Sequence, residues 1–412
     1  MKLQISSLTK RKYREEKLHH QELGFSIVEI LIGLVLGLFL GTGIIQLFIA
    51  NKQTYRFQEE ASRMQENGRF ALEVLTNSIR MAGFTGCNVK SCPATCPLTY
   101  PPITPACTPP ACPPLPCPTN LCTNPFPPNI VLNNPATWWE DLRNNPLRGY
   151  DGSDTPMPPN PFPNRIDGTD AIIALGGNGA LHFVTLPDPV SPLLMLNTLN
   201  TLQEKSLKKG NIVIMCNTNY TSLFQITNIL NVAPPTIEYA SGVLIPGNSS
   251  ADFNGTIANY KANNGTTINK YAPTAFYIRT SVSDTTRSLY QSNLVTAEDG
   301  SSSYMESEEL IEGVWDMQIV YGVDMDNPSN SIIDKYVDAS EVTNRNQWSQ
   351  VLSVRINLLL VSLEDNIVNQ PQAYMFPDDI GDGAISGRPV LATDRRLYQV
   401  FSTTIGIRNR LK

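Results

Sequence analysis

Four sets of residues in this 412-residue chain have types and spacings that could do chemistry. The first is Gly24-Phe25-Ser26-Ile27-Val28-Glu29, where a glycine-phenylalanine step divides a basic segment (Lys2, Lys10, Arg11, Lys12, Arg14, Lys17) from an apolar stretch reaching Ala50. A secretory signal is cut after its apolar core, beside small residues. Here the candidate processing point lies before that core, so the apolar segment stays in the processed chain. Cleavage after Gly24 would give Phe25 an α-amine that is charged at neutral pH. Glu29 adds a carboxylate to the same segment; such a group costs about 2.5–3.5 kcal/mol at mid-bilayer and less near the interface, so it needs a purpose.

The second set is eight cysteines. Cys87, Cys92, Cys96, Cys107, Cys112, Cys117 and Cys122 are grouped, and Cys216 stands apart. Outside the cytoplasm an even number reads as disulfides. Zinc is the competing chemistry, but no Cys-x-x-Cys pair exists and the chain after residue 24 keeps one histidine, His182. One pair can be argued from position: Cys87, just past a helix, with Cys216, which ends the apolar run Ile212-Val213-Ile214-Met215. The other six would pair among themselves. The third candidate is His182, the sole imidazole for a Ser-His-Asp arrangement, but Leu181-His182-Phe183-Val184 reads as a strand. The fourth is acidic. Asp324-Met325-Asp326-Asn327-Pro328 suggests a calcium loop, yet Pro328 fills its fifth position and no glycine follows. It reads as a hairpin turn, and Asp378, Asp379 and Asp382 as a solvated one. No phosphate-cradling glycine motif stands out. The chain is expected to be no enzyme and to hold neither metal nor cofactor.

The elements that position these residues begin with one helix, expected over about 25–82. From Phe25 to Ala50 it covers about 26 residues, roughly 39 Å, enough to cross a bilayer with some tilt. Gly33, Gly37 and Gly41 recur every four residues and give one face a close approach for another helix. Basic residues before the span, with no matching cluster after it, place the N-terminus in the cytoplasm and the remainder outside. From Asn51 to Met81 there is no proline, and Gly68, Ala71, Leu72, Leu75, Ile79 and Ala82 form one apolar stripe. Gly83 is the expected stop.

Between Pro93 and Pro163 lie 21 of the 32 prolines. Proline removes backbone donors, so residues 87–165 read as an irregular Cys/Pro-rich insertion, with Trp138-Trp139 buried. Residues 166–412 read as a β-rich domain. Strands are expected at Asp170–Leu175, Ala180–Leu186, Asn211–Cys216, Leu223–Ile229, about 315–321, 352–360 and about 397–407. Trp315, Met317, Ile319 and Tyr321 would share one face, as would Leu352, Val354, Ile356, Leu358 and Leu360. The fold class is α+β: a long helix on an antiparallel sheet. Residues 1–24 carry six basic and three acidic residues, so the remainder has a net charge of about −9 from a whole-chain value of −6. That balance argues against nucleic acid as a partner.

The basic segment, Gly24-Phe25, the apolar helix and Glu29 together resemble the class III signal of type IV prepilins. Further along, Arg80-Met81-Ala82-Gly83-Phe84-Thr85-Gly86-Cys87, the segments 313–324 and 348–360, and Thr403-Thr404-Ile405-Gly406-Ile407-Arg408-Asn409-Arg410-Leu411 are similar to the PilW family of type IV pilus minor pilins. The likeness runs from residue 24 to the end, apart from the insertion. It implies a pilin fold, with residues 1–24 as a prepilin leader cut by a prepilin peptidase that then N-methylates Phe25. It implies that Glu29 pairs with a neighbouring subunit's Phe25 amine. Implied partners are other minor pilins, the major pilin, the inner-membrane assembly platform and possible contact with a large tip adhesin. The subunit would wait in the inner membrane as a single span and end in the extracellular pilus, priming assembly near the tip. Two alternatives share the signal: a minor pseudopilin of a type II secretion system, and a tip-associated adhesin using the Cys/Pro segment.

Overall fold

The computed structural model describes residues 26–86, 129–133, 142, 146–152, 154, 160–187, 193–196, 207–217, 220–230, 232, 235–250, 260, 265–283, 286–326, 330–377 and 388–410. The chain forms two compact units, Met1–Arg56 and Phe57–Lys412. Helix α1, Ile27–Arg80, starts in the first and ends in the second. Its N-terminal part contains an 18-residue window of mean hydropathy 2.4, long and apolar enough to cross a membrane. No proline interrupts it, and the glycines cost helix propensity without ending the helix. Within the second unit α1 buries Glu60, Met64, Gly68, Ala71, Leu75 and Ile79. The expected stripe is therefore there, and it starts two turns earlier than the sequence indicates. Glu60 is tolerated on it because both carboxylate oxygens accept from Arg63 Nη2, at 2.7 and 2.6 Å.

Nineteen strands follow among the described residues. An eight-stranded sheet takes the order β1-β7-β6-β10-β4-β5-β9-β8. Its members are β1 (Asn129–Ile130), β4 (Gly177–Pro187), β5 (Leu193–Leu196), β6 (Ile212–Cys216), β7 (Thr221–Gln225), β8 (Asn228–Leu230), β9 (Thr236–Glu238) and β10 (Thr267–Tyr271). A five-stranded sheet, β13-β12-β11-β3-β2, contains β2 (Leu147–Tyr150), β3 (Ala171–Ala174), β11 (Thr274–Thr280), β12 (Arg287–Thr296) and β13 (Ser303–Glu312). A four-stranded sheet, β15-β14-β16-β19, contains β14 (Val314–Val323), β15 (Lys335–Val337), β16 (Val351–Val361) and β19 (Tyr398–Gly406). β17 (Ala373–Phe376) and β18 (Arg388–Leu391) form a two-stranded sheet. Every pairing is antiparallel except β1 with β7.

The five-stranded sheet is buried on both faces. Ile172, Phe276 and Ile278 join Leu75 and Ile79 of α1 and Met317, Ile319 and Ile356 of the four-stranded sheet in one core. Their alternating neighbours Ala171, Ile173, Ala275 and Tyr277 meet Ile212, Ile214 and Leu223 of the eight-stranded sheet in a second. The opposite face of that sheet builds a third core from Val213, Met215, Phe224 and Ile237. A strand's period of two allows one short segment to serve two cores.

Several expectations are corrected here. The single sheet is four sheets. Leu147–Tyr150, inside the segment read as irregular, is a strand with Leu147 and Tyr150 buried. The run 223–229 splits into β7 and β8, because Ile226 and Thr227 turn their N–H groups to Asn211 and Glu238. Trp315 does not share a face with Met317, Ile319 and Tyr321. A register shift between Val314 and Asp316 puts Val314 in the helix-side core and turns Trp315 to a cluster with Leu359, Phe376 and Tyr398. A second shift, between Gly322 and Val323, places Val351 rather than Leu352 in the helix-side core.

Candidate functional site

The first unit offers the apolar part of α1. Ser26 opens it: its carbonyl accepts from Glu29 N and Ile30 N at 3.0 and 3.1 Å, and its Oγ from Val28 N at 3.3 Å. Glu29 therefore lies in the first turn and is exposed. Gly33, Gly37 and Gly41 follow with open space where a Cβ would stand, and so does Gly43, which the four-residue spacing overlooks. Thr42 turns its hydroxyl back to the Leu38 carbonyl at 2.8 Å, leaving no unsatisfied hydroxyl among the exposed apolar side chains. Gly24, Phe25 and the cysteines from Cys87 to Cys122 lie outside the described residues, as do Trp138, Trp139, Asp378, Asp379 and Asp382.

In the second unit the segments singled out by motif come together at the end of α1. Gly83 adopts a left-handed conformation (φ 77°) and donates its N–H to the Leu175 carbonyl at 2.8 Å. The helix's last carbonyls are met by the C-terminal segment, Arg80 O by Arg408 N at 3.4 Å and Ala82 O by Asn409 Nδ2 at 3.0 Å. Arg410 Nη1 donates to the Trp348 carbonyl and, at 3.0 Å, to the Val351 carbonyl. Burial pushes that guanidinium down to about 10. Trp348 packs edge-on against Tyr321 at 5.0 Å. Cys216 Sγ lies 3.1 Å from the Thr85 carbonyl oxygen, two residues before Cys87 in sequence.

The remaining candidates have structural explanations. His182 is buried in β4, and burial holds its imidazole below the usual value. Asp324, Asp326 and Asp334 bring carboxylate oxygens within 4.8 Å of one another, and the sequence did not point to Asp334. Two of the three accept backbone donors of their own turn. Asp324 takes Asp326 N and Ser331 N at 3.1 and 2.6 Å, and Asp334 takes Met325 N at 2.6 Å. They could hold a cation, but the turn already uses them.

The C-terminal part of this second unit carries the family likeness. Residues 275–409 match the family model described as type IV pilus-assembly protein W. The chain carries a PilW domain. Its PilW domain includes all of the four-stranded sheet, the β17–β18 pair and the residues that close the end of α1; helix α1 and the eight-stranded sheet lie outside it. PilW names a component of type IV pilus assembly rather than an enzyme family, which fits a site made of packing surfaces. Comparison with curated proteins and with solved structures gave no match.

Proposed function

We propose that this chain is a minor pilin of the type IV pilus with a pilin fold, incorporated with other minor pilins to prime assembly near the tip. The observation that carries this reading is the single 54-residue helix, apolar and largely exposed along its first half and packed into the core of a PilW-containing unit along its second. Residues 1–24 act as the leader, and a prepilin peptidase cuts before Phe25 and methylates it. The subunit then waits in the inner membrane with its N-terminus toward the cytoplasm. The assembly platform passes it into a filament of minor and major pilins, where Glu29 and the Gly33/Gly37/Gly41 face pack against neighbouring helices. A carboxylate in such a core is stable only when paired, so it sets the register of docking. Cys216 is a disulfide cysteine, and the reading pairs it with Cys87. N-terminal mass analysis of the membrane-extracted protein should find a chain beginning at methyl-Phe25. An intact Met1 start in peptidase-competent cells would overturn the proposal.

A further inference from the structure

Edge strands expose unpaired backbone groups, and proteins usually guard them with short length, charge, proline or a bulge. The described edges of this molecule are guarded, with one exception. β1, β8 and β15 have two or three residues, and β2 has four, after Pro146. β13 carries Glu306, Glu308, Glu309 and Glu312, and its pairing contains a register shift. β17 and β18 have four residues each, with Pro389 in β18. β19 has nine residues, Tyr-Gln-Val-Phe-Ser-Thr-Thr-Ile-Gly, without charge or proline, and pairs with β16 in unbroken register.

The direction of its backbone groups follows from the ladder. Ile407 N donates to Leu352 O and Ser362 N to Leu397 O, so the odd-numbered residues between them turn toward β16. The even-numbered residues turn away. At Tyr398 a side-chain amide stands in for the missing strand: Gln372 Nε2 donates to Tyr398 O at 2.9 Å, and Tyr398 N donates to Gln372 Oε1 at 3.0 Å. Beyond it the outward N–H and C=O of Val400, Ser402, Thr404 and Gly406 have no partner among the described residues, and Ser402 and Thr404 are exposed.

We infer that this edge receives an extended, uncharged strand from a different pilus subunit, which joins the four-stranded sheet through those outward groups. Only an extended polypeptide matches alternate donors and acceptors spaced along one line. β19 itself carries no charge for the partner to answer, and the guanidinium beside it, Arg355 of β16, already donates to Thr404 Oγ1 at 3.2 Å. A second copy docking by its own β19 would make a self-complementary contact, which closes as a dimer, whereas filament growth requires a heterologous one. That choice of partner rests on the pilin reading.

The test uses the full-length chain in pilus-assembling cells, with a photo-crosslinking p-benzoylphenylalanine at position 404. A single peptide of another pilus subunit should be captured. Ser402→Pro removes one outward N–H and no ladder bond, and should lower capture about tenfold, the effect of losing one to two hydrogen bonds. Ser402→Ala should leave capture unchanged. Should the proline variant fail to accumulate, Ser402→Lys, which charges the edge without altering the backbone, should give the same loss. Absence of an adduct, an adduct to another copy of this chain, or capture indifferent to both variants would overturn the inference. N-terminal mass from the same cells reads the pilin proposal separately. Methyl-Phe25 without an adduct refutes the edge alone, and an uncut chain with an adduct refutes the pilin reading alone.

Discussion

At Gly68 the helix gives up a side chain so that a ring can lie on its backbone. A Cβ there would stand 2.7 Å from three carbons of the Phe401 ring. Alanine improves helix propensity by about 1 kcal/mol, while overpacking costs about 1–3 kcal/mol. Gly68→Ala should therefore destabilise the full chain by about 1 kcal/mol in urea unfolding. In a Phe401→Leu background the same change should become neutral or stabilising, because the clash is gone and the propensity gain remains. His182 yields a pH dependence. Burial depresses its folded-state value, so the unfolded chain binds a proton that the folded chain refuses. Its contribution is complete above the ordinary imidazole value of about 6.5 and is lost as pH falls through the depressed one. The unfolding midpoint should drop as pH falls below about 6.5, and His182→Gln should flatten the drop.

Elements are where side-chain patterns and register meet. Alternation from Leu352 to Leu358 located β16, and the unbroken apolar run from Ile212 to Met215 located β6. Alternation misassigned Trp315 because one extra residue in β14 reverses every face behind it, and nothing in Val314-Trp315-Asp316 marks that residue. The link from helix to sheet belongs to this scale too. Thr85, just past α1, touches Cys216 at the end of β6. Non-reducing peptide mapping should recover Cys87 joined to Cys216, and Cys216→Ser should lower stability by about 2–5 kcal/mol. A fragment joining Cys87 to any of Cys92, Cys96, Cys107, Cys112, Cys117 or Cys122 would refute the pairing.

For the whole molecule, the two parts of α1 differ in burial. Residues buried from Glu60 to Ile79 stabilise the chain's own fold, while the apolar residues from Ile27 to Ile49 are exposed. Glu29 belongs to the second class, so replacing it should spare folding and insertion and affect assembly. Glu29→Ala lowers the cost of insertion and should reach normal membrane levels, yet leave cells with few pili. Normal pilus numbers, with the variant present in sheared pili, would rule out a register role.

What the sequence determined by itself is local and periodic. The long helix, its apolar half and the stripe from Gly68 to Ile79 are all patterns that repeat within a few residues, so neighbouring positions suffice to read them. The PilW segments could be recognised because each is a short run of particular side chains. Their purpose was not legible. Asn409 meeting Ala82, Arg410 meeting Val351 and Phe401 lying on Gly68 join positions hundreds or tens of residues apart. The three cores, the two register shifts and the open edge of β19 were likewise decided by tertiary structure. Strand order and register depend on which distant segments pair, and the residue pattern of any one strand is compatible with many partners.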